Sequence, residues 1–104
     1  MEPFRLEPGH RPGSFRLVGE LDVANVTMVQ SRLEDELKKS GTLTLDASEL
    51  RFLDSQGLSM LIHLGEEAKK RGEAIRLVGG SNQVRRLLDI AVPEGVPGVE
   101  IVED

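Results

Sequence analysis

One short run of residues carries most of the chemistry that this sequence offers. Asp54, Ser55, Gln56, Gly57 and Leu58 follow an irregular segment and open a predicted helix. The simplest interpretation is a helix cap, in which Asp54 or Ser55 accepts hydrogen bonds from the free amides of the first turn. A serine hydroxyl at an exposed helix start is also within reach of another protein's active site. A phosphate there would meet free N–H groups and the positive helix end, beside the like charge of Asp54.

A serine hydrolase is the enzymatic alternative, and the sequence argues against it. Leu53 stands where the G-x-S-x-G elbow has its first glycine. His63 follows Ser55 along the same predicted helix at a distance of about 12 Å by helical rise, and His10 lies in a segment rich in proline and glycine. Because a hydroxyl without a base is a poor nucleophile, we predict no enzyme and no catalytic residue.

Composition excludes several other classes of protein. Thirteen Lys and Arg against eighteen Asp and Glu give a formal charge of −5, which argues against nucleic-acid binding because that requires a basic surface. The chain has no cysteine and two histidines, so we expect no metal and no cofactor. No apolar run approaches the ~20 residues of a membrane span, and no signal peptide opens the chain. We therefore expect no membrane insertion and a cytoplasmic location.

The hydrophobic pattern predicts strands that alternate with helices. Strands are predicted at residues 14–20, 42–47, 75–78 and 99–102, and helices at residues 24–40, 58–71 and 82–90. Asp22 is the predicted cap of the first helix, and residues 48–52 are predicted to form a turn. Residues 1–13 contain three prolines and are expected to be loosely ordered or to form an edge strand near residues 4–6. The alternation predicts an α/β fold with a mixed, mostly parallel sheet of four or five strands and helices mainly on one face.

Two apolar residues of the second predicted helix fall off its core stripe. Met60 and Leu64 are four residues apart and lie one to two turns beyond Ser55. Either a neighbouring helix covers them, or they form an apolar patch beside Ser55 that binds a partner protein. Met28 lies off the stripe of the first helix in the same way.

Two further motifs accompany the serine run. Gly, Glu, Leu and Asp occupy residues 19–22 after a strand, and Arg, Arg, Leu, Leu and Asp occupy residues 85–89 in the third helix. Together with residues 54–58, this combination resembles the STAS domain family, and within it the bacterial anti-sigma factor antagonists. The resemblance spans residues 15–90 and implies the STAS fold, with a single domain over residues 1–104.

The resemblance also implies a function. In that family the serine at the position of Ser55 is the regulatory phosphorylation site. The unphosphorylated antagonist binds an anti-sigma factor kinase of the histidine-kinase-like ATPase type and frees the sigma factor; phosphorylation ends the binding, and a serine phosphatase restores it. The predicted partner-binding residues are Asp22, Asp54, Ser55, Gln56, Gly57, Met60 and Leu64. The alternative is a STAS scaffold or assembly module, stressosome-like or part of a lipid-transport complex, that phosphorylation does not regulate.

The sequence departs from the family pattern at two places. Gln56 replaces the serine, threonine or alanine that is common there and could tune recognition by the kinase. Family members usually continue into a further C-terminal helix, and because the sequence stops at residue 104 we expect that helix to be missing.

Overall fold

Residues 4–102, the part of the chain that the computed structural model describes, contain five strands and three helices, which alternate from β2 onwards. They are β1 (Arg5–Pro8), β2 (Ser14–Leu21), α1 (Val26–Ser40), β3 (Leu43–Leu53), α2 (Ser55–Lys70), β4 (Ile75–Val78), α3 (Asn82–Ala91) and β5 (Val99–Val102). The strands form one sheet in the order β1-β2-β3-β4-β5, so β1 and β5 are its edges. β1 is antiparallel to β2 and all other pairs are parallel. The predicted fold class is confirmed.

The start of the chain contributes one of these edges. Within the segment 1–13, residues 5–8 form the edge strand β1, where Leu6 pairs with Leu17. Residues 1–3 of that segment, for which loose order was predicted, lie outside the described residues, as do residues 103 and 104.

The core forms between the helices and one side of the sheet. The apolar stripe of α1 is buried and consists of Val26, Val29, Leu33 and Leu37. It joins inward-facing strand residues such as Leu17, Leu45 and Leu77 in one cluster. α1 and α2 pack against each other and against β3, and α3 also packs against β3. Strand residues between the inward-facing ones, such as Arg16 and Arg76, are exposed. This alternation is the pattern of a sheet that is buried on one side.

β3 is longer than the sequence predicts, and the prediction of a turn at residues 48–52 is wrong. The register with β2 shifts twice, so that β3 holds one extra residue between Arg16 and Val18 and another between Gly19 and Glu20. Each extra residue interrupts the period-two alternation of a regular strand. The bulged part of β3 therefore resembles a turn in sequence, although Leu50 and Leu53 still point into the core.

The start of α1 also differs from the prediction. Asp22 does not cap the helix: its carboxylate accepts a hydrogen bond from the N–H of Ala24 at 3.0 Å, and the helix begins at Val26. Asn25 holds the turn before the helix, because its side chain donates to the carbonyl of Glu20 at 3.0 Å and accepts from the N–H of Asp22 at 3.1 Å. Residues 22–25 thus form a bonded turn between β2 and α1.

The segment that leads into β5 approaches α2 very closely. Gly98 has φ +80°, and a Cβ atom on it would overlap the backbone of Gly65 in the middle of α2. A Cβ atom on Gly65 would in turn overlap the carbonyl of Pro97 and lie 2.9 Å from the side chain of Val99. Two glycines therefore let the last crossover pass against the helix.

Candidate functional site

The start of α2 is built around one aspartate. Asp54 is the N-cap residue, and its Oδ1 atom accepts hydrogen bonds from the N–H groups of Gln56 at 2.9 Å and Gly57 at 3.0 Å. Of the two candidate caps in the sequence, the structure selects Asp54. Ser55 is the first helical residue and is exposed. Its side chain therefore faces solvent at the end of the helix where the macrodipole is positive.

Asp54 also joins α2 to the loop before α1. Its Oδ2 atom accepts a hydrogen bond from the N–H of Val23 at 3.2 Å, and its own N–H donates to the carbonyl of Leu21 at 3.1 Å. β2 and β3 are parallel neighbours, so their carboxyl ends lie at the same edge of the sheet. The structure thereby brings the half-buried Asp22, in the loop before α1, next to the exposed Ser55 and Gln56 in the first turn of α2.

The expected anion site at the start of α2 is already partly filled. Two of the amides that a phosphate on Ser55 was predicted to meet donate to Asp54 instead. A phosphate would consequently stand beside a carboxylate that occupies these donors. Exposed Glu20 and half-buried Asp22 add further negative charge at the same end of the sheet. Phosphorylation would make an acidic surface more acidic.

Of the two alternatives for Met60 and Leu64, the structure shows burial, and the hypothesis of an exposed apolar patch on α2 is wrong. Met60 is 1% exposed and Leu64 is 0% exposed, and both belong to the core cluster. The reason is that α2 contacts the sheet and also α1, so its buried surface is wider than the stripe that faces the sheet. Neither residue is available to touch a partner in this conformation.

Gly57 is also a packing position rather than a surface contact. It is buried, and a Cβ atom there would lie 3.1 Å from Cβ of Leu53 and 3.2 Å from the carbonyl oxygen of Leu21. Glycine therefore lets the first turn of α2 sit close to the ends of β2 and β3. Of the seven predicted partner-binding residues, the structure leaves Asp22, Asp54, Ser55 and Gln56 accessible.

The structure adds an apolar residue that the sequence reasoning missed. Val23 is 72% exposed and its N–H is bonded to Asp54, which places it beside the start of α2. Its signal in the sequence is an apolar side chain in a polar turn directly after Asp22. Met28, in the first turn of α1, is 57% exposed, as its position off the stripe indicated. The apolar component of this surface lies on the α1 side and not on α2.

The histidine considered as a base for Ser55 has another partner. Nε2 of His63 lies 3.0 Å from a carboxylate oxygen of Glu34 on α1. Across residues 4–102 there is no group of three or more His, Cys, Asp or Glu side chains arranged to hold a metal ion. None of the helices in these residues is both long and apolar enough to cross a membrane.

Comparison with known proteins identifies relatives of this chain. The STAS domain matches residues 6–92. The anti-sigma-B factor antagonist of Bacillus subtilis (strain 168) is 26% identical over 74 residues, which cover 71% of this chain and 68% of that protein.

Solved structures share its architecture. The anti-sigma factor antagonist SpoIIAA in its unphosphorylated form superposes with a TM-score of 0.74 at 21% identity, covering 96% of this chain and 88% of that one. The phosphorylated form of the Bacillus cell fate determinant SpoIIAA gives a TM-score of 0.67 at 18% identity, covering 96% and 91%. At this identity the two likenesses show a common fold.

Proposed function

The chain belongs to the STAS domain family, and from this premise we propose that it is an anti-sigma factor antagonist that phosphorylation of Ser55 switches off. In its unphosphorylated form it binds an anti-sigma factor kinase of the histidine-kinase-like ATPase type and frees the sigma factor. A serine phosphatase restores the binding form. The protein acts in the cytoplasm as a substrate and ligand of these partners, and the kinase supplies the ATP. The similarity to the Bacillus subtilis anti-sigma-B factor antagonist supports this proposal.

The observation that carries the proposal is the placement of Ser55. It is exposed at the first position of α2, directly after the residue that fixes the helix start. A kinase needs a hydroxyl that it can reach without unfolding its substrate. The Asp54 carboxylate accepts hydrogen bonds from two helix amides and from the N–H of Val23, which holds the backbone around Ser55 in one arrangement. SpoIIAA, whose fold this chain shares, has been solved in both an unphosphorylated and a phosphorylated form, which also supports control by phosphate.

The surface around Ser55 has the composition of a protein interface. Val23 supplies exposed apolar area, while Asp22, Asp54 and Gln56 supply polar groups around it. An apolar centre with a polar rim is common in non-obligate complexes. In this proposal the loop before α1 and the start of α2 contact the partner together, because Asp54 holds them in one arrangement.

Phosphate would act on this interface through charge. It adds about −1.5 to −2 charges beside Asp54, on a side of the molecule that is already acidic. Burying an unpaired charge in an interface is costly because the partner's groups do not replace its water. A loss of about 3 kcal/mol of binding free energy weakens an interaction by roughly two orders of magnitude. Such a change is enough to separate a bound from a free state at a fixed protein concentration.

Phosphorylation in vitro tests the proposal directly. The protein is mixed with ATP and with ATPase-type anti-sigma factors encoded near its gene, and the phosphate is mapped by mass spectrometry. We expect phosphate on Ser55 and none on Ser59, which is also exposed and lies one turn further along α2. A Ser55→Ala variant serves as the negative control. Stable binding without phosphate on any residue would favour a scaffold and contradict the switch.

A further inference from the structure

A groove that adjoins the Ser55 surface, with which it shares Glu20, lies between the carboxyl end of β3 and α3. Its volume is about 1040 Å³. Buried Leu53 and Val84 form its floor, and Phe52 and Ile90 stand at its sides with exposures of 47% and 73%. These two are among the few large apolar side chains that residues 4–102 expose, and both border this groove. Clustered exposure of this kind marks binding surfaces more often than scattered exposure does.

α3 presents a second apolar face to this groove. Val84 and Leu88 are the residues it buries in the core. Apart from the buried Val84, the apolar side chains that α3 contributes to the groove are the half-buried Leu87 and the exposed Ile90, three residues apart. Polar Gln83 lines the groove one turn before Leu87. This spacing is the one by which a helix packs against another helix. One side of the groove is therefore formed by α3. Among residues 4–102, no other helix packs on the side of α3 that faces the groove.

The charge of the groove is opposite to that of the whole chain. Its charged lining residues are Arg51, Arg86 and Glu20, so basic groups outnumber acidic ones. The chain as a whole carries −5. Most of the surface of this protein repels an acidic ligand, whereas the groove attracts one. The groove therefore favours acidic ligands over neutral or basic ones.

We propose that this groove binds an acidic amphipathic helix of a partner protein. The apolar stripe of that helix would cover Phe52, Leu87 and Ile90, and its glutamates or aspartates would face Arg86. A small molecule fits less well, because ligand pockets enclose most of their ligand whereas Phe52 and Ile90 stand open to solvent. A second copy of this chain cannot supply the helix from α1 or α2, since their apolar stripes are buried in their own core. This surface goes beyond the proposed function, which concerns Ser55.

A designed peptide tests the groove without knowledge of the natural partner. The probe is a fluorescent helix-forming peptide with leucines at i, i+3, i+4 and i+7 and glutamates on both flanks. Its counterpart carries lysines in place of the glutamates. Binding to the full chain is followed by fluorescence anisotropy. We expect the acidic peptide to bind at least about tenfold more tightly than the basic one, with a difference that shrinks as salt is added.

Variants with matched controls locate the binding site. Ile90→Asp and Arg86→Glu should each weaken binding of the acidic peptide by about tenfold or more. Val23→Asp changes another exposed β-branched apolar residue and Arg11→Glu another exposed arginine, and both should leave peptide binding unchanged. Ser55→Asp should also leave it unchanged, which separates this proposal from the proposed function. Circular dichroism confirms that each variant is folded.

Three results would overturn the proposal. The first is equal binding of the acidic and basic peptides. Failure of both peptides to bind at a concentration of about 1 mM counts in the same way, because a docking site of this kind should bind with a Kd below about 1 mM. The second is unchanged binding by folded Ile90→Asp. The third is a dimer of the wild-type chain, seen by analytical ultracentrifugation, that Ile90→Asp dissociates, because α3 of a second copy would then be the occupant.

Discussion

The carboxylate of Asp54 accepts a hydrogen bond from the N–H of Val23 at 3.2 Å, across 31 residues of sequence. The same carboxylate caps α2 through Gln56 and Gly57. One side chain thus fixes both the helix that begins with Ser55 and the loop that exposes Val23. The candidate binding surface is one unit because of this residue.

Replacing Asp54 by alanine should destabilise the protein and loosen the loop. Losing a helix cap costs about 1 kcal/mol, within a range of roughly 0.5–2 kcal/mol. The free energy of unfolding in urea measures this cost, and Asp54→Asn, which keeps an acceptor oxygen, should lose less. In Asp54→Ala the amide hydrogen of Val23 should exchange faster, while that of Ala24, bonded to Asp22, changes little. Equal exchange at Val23 in both proteins would show that the bond does not hold the loop.

Charge at Ser55 should control binding of the anti-sigma factor. Ser55→Ala should bind like the unphosphorylated protein but resist phosphorylation. Ser55→Asp should bind more weakly, although one carboxylate carries less charge than a phosphate and will reproduce only part of the effect. Isothermal titration calorimetry with the same anti-sigma factor compares the two. Equal affinities of both variants would mean that charge is not the switch.

Met60 should behave as a core residue and Met28 as a surface residue. Met60→Ala removes a side chain that is 1% exposed, and such changes cost about 2–5 kcal/mol. Met28→Ala alters a residue that is 57% exposed and should stay within about 0.5 kcal/mol. Thermal melting of the two variants gives the comparison. A small effect of Met60→Ala would restore the hypothesis of an exposed patch on α2.

The contact between Gly98 and Gly65 should tolerate no side chain. Gly98→Ala faces both a positive φ and an overlap with the backbone of Gly65. Gly72→Ala is the matched control, since Gly72 has φ +74° but open space around it. The control should lose about 1–2 kcal/mol from its conformation alone, and Gly98→Ala clearly more. Chemical unfolding measures both, and equal losses would show that the crossover can move away from α2.

Much of this architecture could be predicted from local patterns. The α1 stripe and the positions of β4 and β5 follow from periodicity and turn residues, which depend on near neighbours in the chain. The full length of β3 could not be predicted in this way, because its bulges are defined by its pairing with β2, which local periodicity does not show.

In the candidate site, too, features set by near neighbours could be predicted and features set by distant contacts could not. Asp54 and Ser55 were found from the local pattern of a helix start. The burial of Met60 and Leu64 depends on how α1 crosses α2, and the hydrogen bond from the N–H of Val23 to Asp54 depends on two strands ending side by side. Helical periodicity shows which residues share a face but not how wide a surface a neighbouring helix will cover.

The two edges of the sheet differ in their protection against aggregation. β1 carries Pro8 together with Arg5 and Glu7, and proline and charge both discourage the addition of another strand. β5 has valines at both ends and an isoleucine that is 41% exposed, with a single charged residue between them. We therefore expect heat-induced self-association to begin at β5, and Ile101→Lys to delay the rise of light scattering more than a lysine placed at Leu6 in β1.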